Sequence, residues 1–213
     1  MNEAETKIMQ LELKHIEALD KAERCMFHSD FCPYLELKAL LPDSTHDARL
    51  RFRIQYTKLY DLDRGGLTEQ FKDRYFEILF GSNVMLNGQP DYAGILNEFS
   101  AIKRKQGDLA MPFSFVSKLV GMHLESSPIY DRHVLDFFGR EAPKPKVDKA
   151  KRIEWFVGFL NDVSRGYAIW ADASMVRSIL ERLKAHDDRL RNCHDFRFLD
   201  FLVWKVGNGK LLS

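Results

Sequence analysis

Apolar residues recur at helical spacing through most of this chain, and strict alternation with charged residues is confined to one short stretch. Residues 4–28 place Ile8, Leu11, Ile16 and Leu19 on one face, which predicts a long amphipathic helix. Pro33 and Pro42 break residues 33–47 into loop or short helix. Residues 49–58 (RLRFRIQYTK) alternate, but a lone strand there would lack a partner, so they read as a helix with its arginines exposed. Gly65-Gly66 is a turn, and Phe71, Tyr75, Phe76, Leu79 and Phe80 then form a broad aromatic stripe over the helix Thr68–Phe80, closed by Gly81-Ser82-Asn83. Asn87-Gly88-Gln89-Pro90 makes a turn, with Pro90 opening a helix that should end near Gly107. Three later helices are predicted over 149–164, 173–186 and 195–206, from Ile153/Phe156/Val157/Leu160, Val176/Ile179/Leu180/Leu183 and Phe198/Leu199/Leu202/Val203. Between the first two, Tyr167-Ala168-Ile169-Trp170 reads as loop, with Trp170 a core anchor or a pocket wall. The expected fold is all-α: one helical domain over 1–213, or two tightly packed lobes.

The stretch Pro112–Gly139 (PFSFVSKLVGMHLESSPIYDRHVLDFFG) reads as two short helices joined by a Ser-Ser-Pro turn. Ser127 suits the N-cap of the second helix, Pro128 its first position and Gly139 its stop. Ile129, Val134, Leu135 and Phe138 supply an apolar face. Asp131 falls in the first turns, where the positive end of the helix dipole favours a carboxylate. A carboxylate held there serves either as an ordinary helix-start residue or as a chemical group.

Composition narrows the class. With 45% hydrophobic and 30% charged residues among 213, the chain is an ordinary soluble globular protein long enough for a sizeable core. No window is apolar for the length of a membrane span, and no apolar leader region opens the chain. Three widely spaced cysteines fit reduced thiols and a cytoplasmic protein. Cys25, His28 and Cys32 lack a fourth ligand at zinc-like spacing, so no metal is expected there. The net charge of +1 does not by itself point to nucleic acid, but the charges are clustered. Arg140, Lys144, Lys146, Lys149, Lys151 and Arg152 stand against only Glu141 and Asp148; Lys103-Arg104-Lys105 and Arg49/Arg51/Arg53 are further clusters. Such runs either solvate a face or form a DNA-facing surface.

PIYDRHVL resembles the Pro-Val-Asp-x-His-Val signature of the helix-hairpin-helix DNA glycosylases, in particular their 8-oxoguanine glycosylase branch. FKDRYFEILFGSN (71–83) is similar to that branch's core helix and following loop, and FLDFLVWKVGNG (198–209) to its closing helix. The resemblance implies a two-lobed helical bundle with a helix-hairpin-helix-like motif at about 107–125, followed by the helix of the catalytic carboxylate, Asp131. The hairpin here (GDLAMPFSFVSK) lacks the family's Gly-x-Gly. Anchored on the helix start, Lys118 falls at the family's Schiff-base position; anchored on Asp131, that position falls near Phe113 or Ser114, and the register stays open.

What the resemblance implies is release of a modified base from double-stranded DNA by a monomer that needs no cofactor. The nucleotide must be rotated out of the stack, with a side chain filling the vacancy; Asn83, with Asn87 in reserve, is the residue implied. Ser117, Gly121, Tyr130 and His133 would line the base pocket, and Lys103, Arg104, Lys105 and Ser114 would hold phosphates. An ionised Asp131 would stabilise the cationic sugar or activate the nucleophile. That nucleophile is Lys118, giving a Schiff base, or water. Oxidised guanine is the default base, and a hypermodified phage cytosine, in a defence role, is the alternative. Two other classes stay open: a non-catalytic nucleic-acid-binding module and a helical protein–protein adaptor.

Overall fold

The computed structural model describes residues 12–81, 84–103, 105–106 and 111–210, and it is mostly helical. The chain divides into two compact units, Met1–Phe27 with Leu124–Ser213, and His28–His123. Candidate residues Asn83 and Arg104, and positions 107–110 of the expected hairpin, lie outside the described residues.

The first unit contains α1 (Leu13–Arg24), and the expected helix over 4–28 ends early: Cys25 is its C-cap. Ile8 and Leu11 lie outside the described residues, whereas Leu19 is fully buried.

In the second unit, α2 (His28–Leu40) runs through Pro33, against the expectation of a break. Pro33 removes one backbone donor, but Phe31, Tyr34, Leu35 and Leu37 are buried and packing holds the helix. The alternating stretch is helical, as read: α3 (His46–Tyr60) starts at Thr45, whose hydroxyl accepts from the Ala48 amide at 3.3 Å. Its arginines lie over aromatic faces, Arg49 over Phe80 at 5.2 Å and Arg53 over Phe76 at 4.9 Å. Thr68 caps α4 (Glu69–Phe80), and the aromatic stripe is core: Phe71, Tyr75, Phe76 and Leu79 are buried.

The turn at Asn87-Gly88 belongs to a β-hairpin that the periodicity does not announce. β1 (Met85–Leu86) pairs antiparallel with β2 (Gln89–Pro90). Asn87 and Gly88 both have positive φ (51° and 78°), the geometry of a tight two-residue turn that Asn-Gly adopts readily. Pro90 therefore ends a strand instead of opening a helix. α5 (Tyr92–Phe99) starts two residues later under an Asp91 cap and stops well short of position 107. α6 (Phe113–His123) completes this unit.

After α6 the chain returns to the first unit. α7 (Arg132–Phe137) is six residues long. α8 (Lys149–Asp172) has 24 and continues straight through the segment read as loop, because Gly166, Tyr167 and Trp170 turn inward; Trp170 is a core anchor, 1% exposed. α9 (Ser174–Lys184) buries Val176, Ile179, Leu180 and Leu183, the residues its periodicity named. Arg182 ties it to α1 through Glu23 (2.8 Å) and Asp20 (2.5 Å). α10 (Asp195–Lys205) is enclosed nearly all round and runs into one π-type turn over Val206–Lys210.

That turn packs against α7 so closely that only glycine fits at 207. A Cβ there would lie 2.0 Å from the His133 carbonyl oxygen, which is backbone and cannot swing aside. Gly207→Ala should therefore cost about 3 kcal/mol and lower the melting temperature by about 6–12 °C, measured by circular dichroism. An unchanged melting temperature would contradict this packing.

Candidate active site around Asp131

The route of the backbone into Asp131 differs from the local reading, and the difference defines the site. Ser127 is not a cap and Pro128 does not open a helix: both are buried in an irregular stretch, and helix resumes only at Arg132. Asp131 itself is the N-cap, with extended backbone (φ −148°, ψ 160°) and Oδ1 accepting from the His133 amide at 3.1 Å. The expected stop at Gly139 is as read. Gly139 has φ 59°, its amide donates to Asp136 O at 3.1 Å, and the Arg140 amide donates to Leu135 O at 3.0 Å, a Schellman closure.

The irregular stretch is held from α10. Arg197 Nη2 donates to Ser127 O at 3.1 Å and to Glu125 O at 3.4 Å, while the Ile129 amide donates to Asp200 Oδ1 at 3.1 Å. Arg197 and Asp200 pair with each other at 2.7 Å, and the Tyr167 hydroxyl adds a bond to Asp200 Oδ1 at 3.2 Å. Arg197 is 2% exposed and Asp200 5%. Burial pushes the Asp200 carboxyl up to about 7, while Arg197, the Ile129 amide and the Tyr167 hydroxyl pull it back. Sequence reasoning gave no role in the site to Arg197, Asp200 or Tyr167. The signal was present in FRFLDFLVW, apolar on every side of the helix, where an Arg and an Asp three apart must be buried and must find partners.

Around Asp131 the neighbouring side chains are anchored. The Tyr130 ring is packed edge-on against Phe156 (5.3 Å), Phe159 (5.8 Å) and Trp155 (6.3 Å). Burial pushes its hydroxyl up to about 12, with Arg152 pulling down and Asp131 pushing further up. His133 Nδ1 lies 3.2 Å from Gly207 O and so carries its proton there, and its ring meets Trp204 edge to face at 5.6 Å. Two of the three segments that carry the family resemblance, PIYDRHVL and FLDFLVWKVGNG, thus pack on each other within one unit.

The remaining candidates belong to the other unit. Lys118 on α6 donates to Ser114 Oγ at 2.9 Å, and its ammonium lies over the rings of Tyr60 (5.4 Å) and Phe115 (5.7 Å). Ser117 and Gly121 are buried on the same helix, with Ser117 Oγ bonded to Ser114 O at 3.0 Å. Lys103 and Lys105 are exposed, and their backbone is tied to the Gly66 turn through Thr68 Oγ1–Lys103 O (3.5 Å) and Lys105 N–Gly66 O (3.0 Å). Asn87, the reserve void-filling residue, is exposed at the hairpin tip. Among the described residues no group of His, Cys, Asp and Glu could hold a metal ion, and no helix is long and apolar enough to cross a membrane.

Compared with protein-family models, with curated proteins and with solved structures, the chain matches none. The glycosylase resemblance thus stands on the residues that carry it.

Asp200 gives a pH test of the network. Its carboxyl is raised in the folded state, so folding retains a proton that the unfolded chain gives up near pH 4. Its contribution to stability is full below about pH 4, falls as pH rises, and levels off above about 7. Asp200→Asn lacks this component. Urea midpoints of the two proteins should show the native advantage over the variant shrinking across that window; a difference independent of pH would contradict the assignment.

Proposed function

We propose that this chain is a DNA glycosylase that releases a modified base from duplex DNA, with Asp131 as its essential carboxylate. The observation that supports this reading most is the fixed turn at Asp131. The segment with the family signature carries a carboxylate whose approaching backbone is held by buried charged side chains, a costly arrangement for an ordinary loop. Cleaving an N-glycosidic bond leaves positive charge on the sugar, and a carboxylate held in advance stabilises it without reorganising during the reaction.

In the water route, the water oxygen bonds to C1′ as the base departs with the glycosidic electron pair. Asp131 stabilises the cationic sugar and takes the proton of the attacking water. In the amine route, Lys118, having given a proton to solvent, attacks C1′ as the base departs with the glycosidic electron pair. A proton then passes from the nitrogen to O4′ as the C1′–O4′ bond opens, leaving a Schiff base. Ser114 Oγ and the faces of Tyr60 and Phe115 around the Lys118 ammonium give that side chain a defined direction. A second reading, a binding module without catalysis, is favoured by one observation: the capping bond from Asp131 to the His133 amide already gives an Asp here a structural purpose.

Asparagine caps helices about as well as aspartate, so Asp131→Asn separates these readings. The variant should fold and bind DNA like the native protein, yet lose base release by about 10²–10⁴-fold. Release would be scored as alkali-labile sites in duplexes carrying oxidised guanine or hypermodified cytosine, and in phage genomic DNA. Full activity in the variant, or no release by the native protein from any of these DNAs, would reject the assignment.

The route is decided by borohydride. If Lys118 is the nucleophile, borohydride traps an enzyme–DNA adduct that Lys118→Met loses; base release with no trapped adduct assigns water.

A further inference from the structure

We infer that the turn Lys144–Val147 and the first turn of α8 form a phosphate-binding track for duplex DNA, distinct from the Lys103–Lys105 cluster. The inference rests on the glycosylase reading only for the identity of the polyanion. Lys144, Lys146, Lys149 and Lys151 are all exposed within eight consecutive residues. They stand on ordered backbone. The segment leaves α7 through the Gly139 closure, Val147 N donates to Lys144 O at 3.0 Å across Pro145, and the Asp148 carboxylate caps α8 through the Ala150 (2.9 Å) and Lys151 (3.3 Å) amides. The backbone that carries the lysines is thus held by its own hydrogen bonds, which lowers the ordering cost of binding.

Their electrostatics differ from those of seven surface cations elsewhere on this chain, although Arg51, Lys58, Lys103 and Lys105 are likewise exposed without a carboxylate pair among the described residues. Arg53, Lys72, Arg74, Arg182, Lys184, Arg189 and Arg191 each pair with a carboxylate. Among the described residues, Lys144, Lys146 and Lys151 form no such pair. The first turn of α8 contains no acidic residue, although the dipole favours one there. Four lysines around the single carboxylate of Asp148, three of them without a carboxylate pair among the described residues, fit an external polyanion, and a nucleic-acid backbone supplies closely spaced phosphates.

The track lies in the same unit as Asp131 and close to it. Tyr130, the residue before Asp131, packs on Trp155 and Phe156 in the second turn of α8, and its hydroxyl is within electrostatic reach of both Arg152 and Asp131. Phosphates held there would flank the nucleotide presented to Asp131.

The test is binding of an unmodified short duplex by fluorescence anisotropy between about 50 and about 200 mM salt. The proteins compared are the native chain, Lys144→Gln/Lys146→Gln, the charge-matched pair Lys14→Gln/Lys21→Gln on α1, and the quadruple variant that also carries Lys149→Gln and Lys151→Gln. Folding is checked by circular dichroism. The quadruple variant should bind at least about tenfold more weakly, with a log–log salt slope shallower by about 2–4, and the α1 pair should bind like the native protein. Native-like binding by the quadruple variant, an equal loss in both pairs, or native binding to phosphatidylserine vesicles but not to duplex would overturn the track. The two proposals fail separately. Track-dependent binding without base release from any modified duplex sinks the enzyme and keeps the track, whereas base release undiminished in the quadruple variant does the reverse.

Discussion

The buried Arg197–Asp200 pair is the constraint on which the rest of the candidate site depends. Taking two charges out of water costs several kcal/mol per ion, and their mutual attraction offsets this only when their remaining hydrogen-bonding capacity is used. Here, apart from Arg197 Nε, it is used largely on the backbone that leads to Asp131: Ser127 O, Glu125 O and the Ile129 amide. Loop and ion pair therefore require each other. The chain cannot wind into helix at Ser127 without withdrawing these groups from α10. Helix resumes only at Arg132, and Asp131 becomes its cap.

From that fixed point the small α7 unit is over-determined. It is closed at its far end by Gly139, pressed at one side by the Gly207 turn, and preceded by a tyrosine wedged among three aromatic rings. Six residues of helix have little stability of their own, so these contacts hold Asp131 in place. In the proposed reaction, a carboxylate so placed would need no rearrangement to meet a developing cation, and such preorganised electrostatic stabilisation is usually the largest single catalytic term. The two proposed routes differ in the nucleophile, which is water in one and Lys118 in the other; Lys118 belongs to the unit His28–His123.

Where a long periodic face coincided with strong end signals, local pattern was enough to read the fold. Thr68 capping α4 and the stripes of α9 and α10 are examples, and at the short α7 the stop signal alone, Gly139, was legible. Reading failed where distant side chains outweighed local chemistry. Ser127-Pro128 is a good helix start that loses its backbone groups to residues about seventy positions away. Pro33 ought to break α2, yet burial of its neighbours carries the helix on. The Tyr167–Trp170 segment looks like a loop until α8 is seen to bury it, and a hairpin with two residues per strand is too short to leave a period. Asp131 was legible as a helix-start carboxylate. Its supporting residues were not, because a charge pair inside an apolar helix declares itself only once that helix is known to be enclosed.

The central claim is that Asp131 faces a sugar carrying positive charge. The most direct measurement is the affinity for a duplex with one nucleotide replaced by a pyrrolidine abasic analogue, whose protonated ring nitrogen imitates that charge, against the same duplex with an ordinary nucleotide. The account predicts binding at least about 10²-fold tighter for the analogue, with the gain lost in Asp131→Asn. Equal affinity for the two duplexes, or a gain that survives removal of the carboxylate, would contradict it.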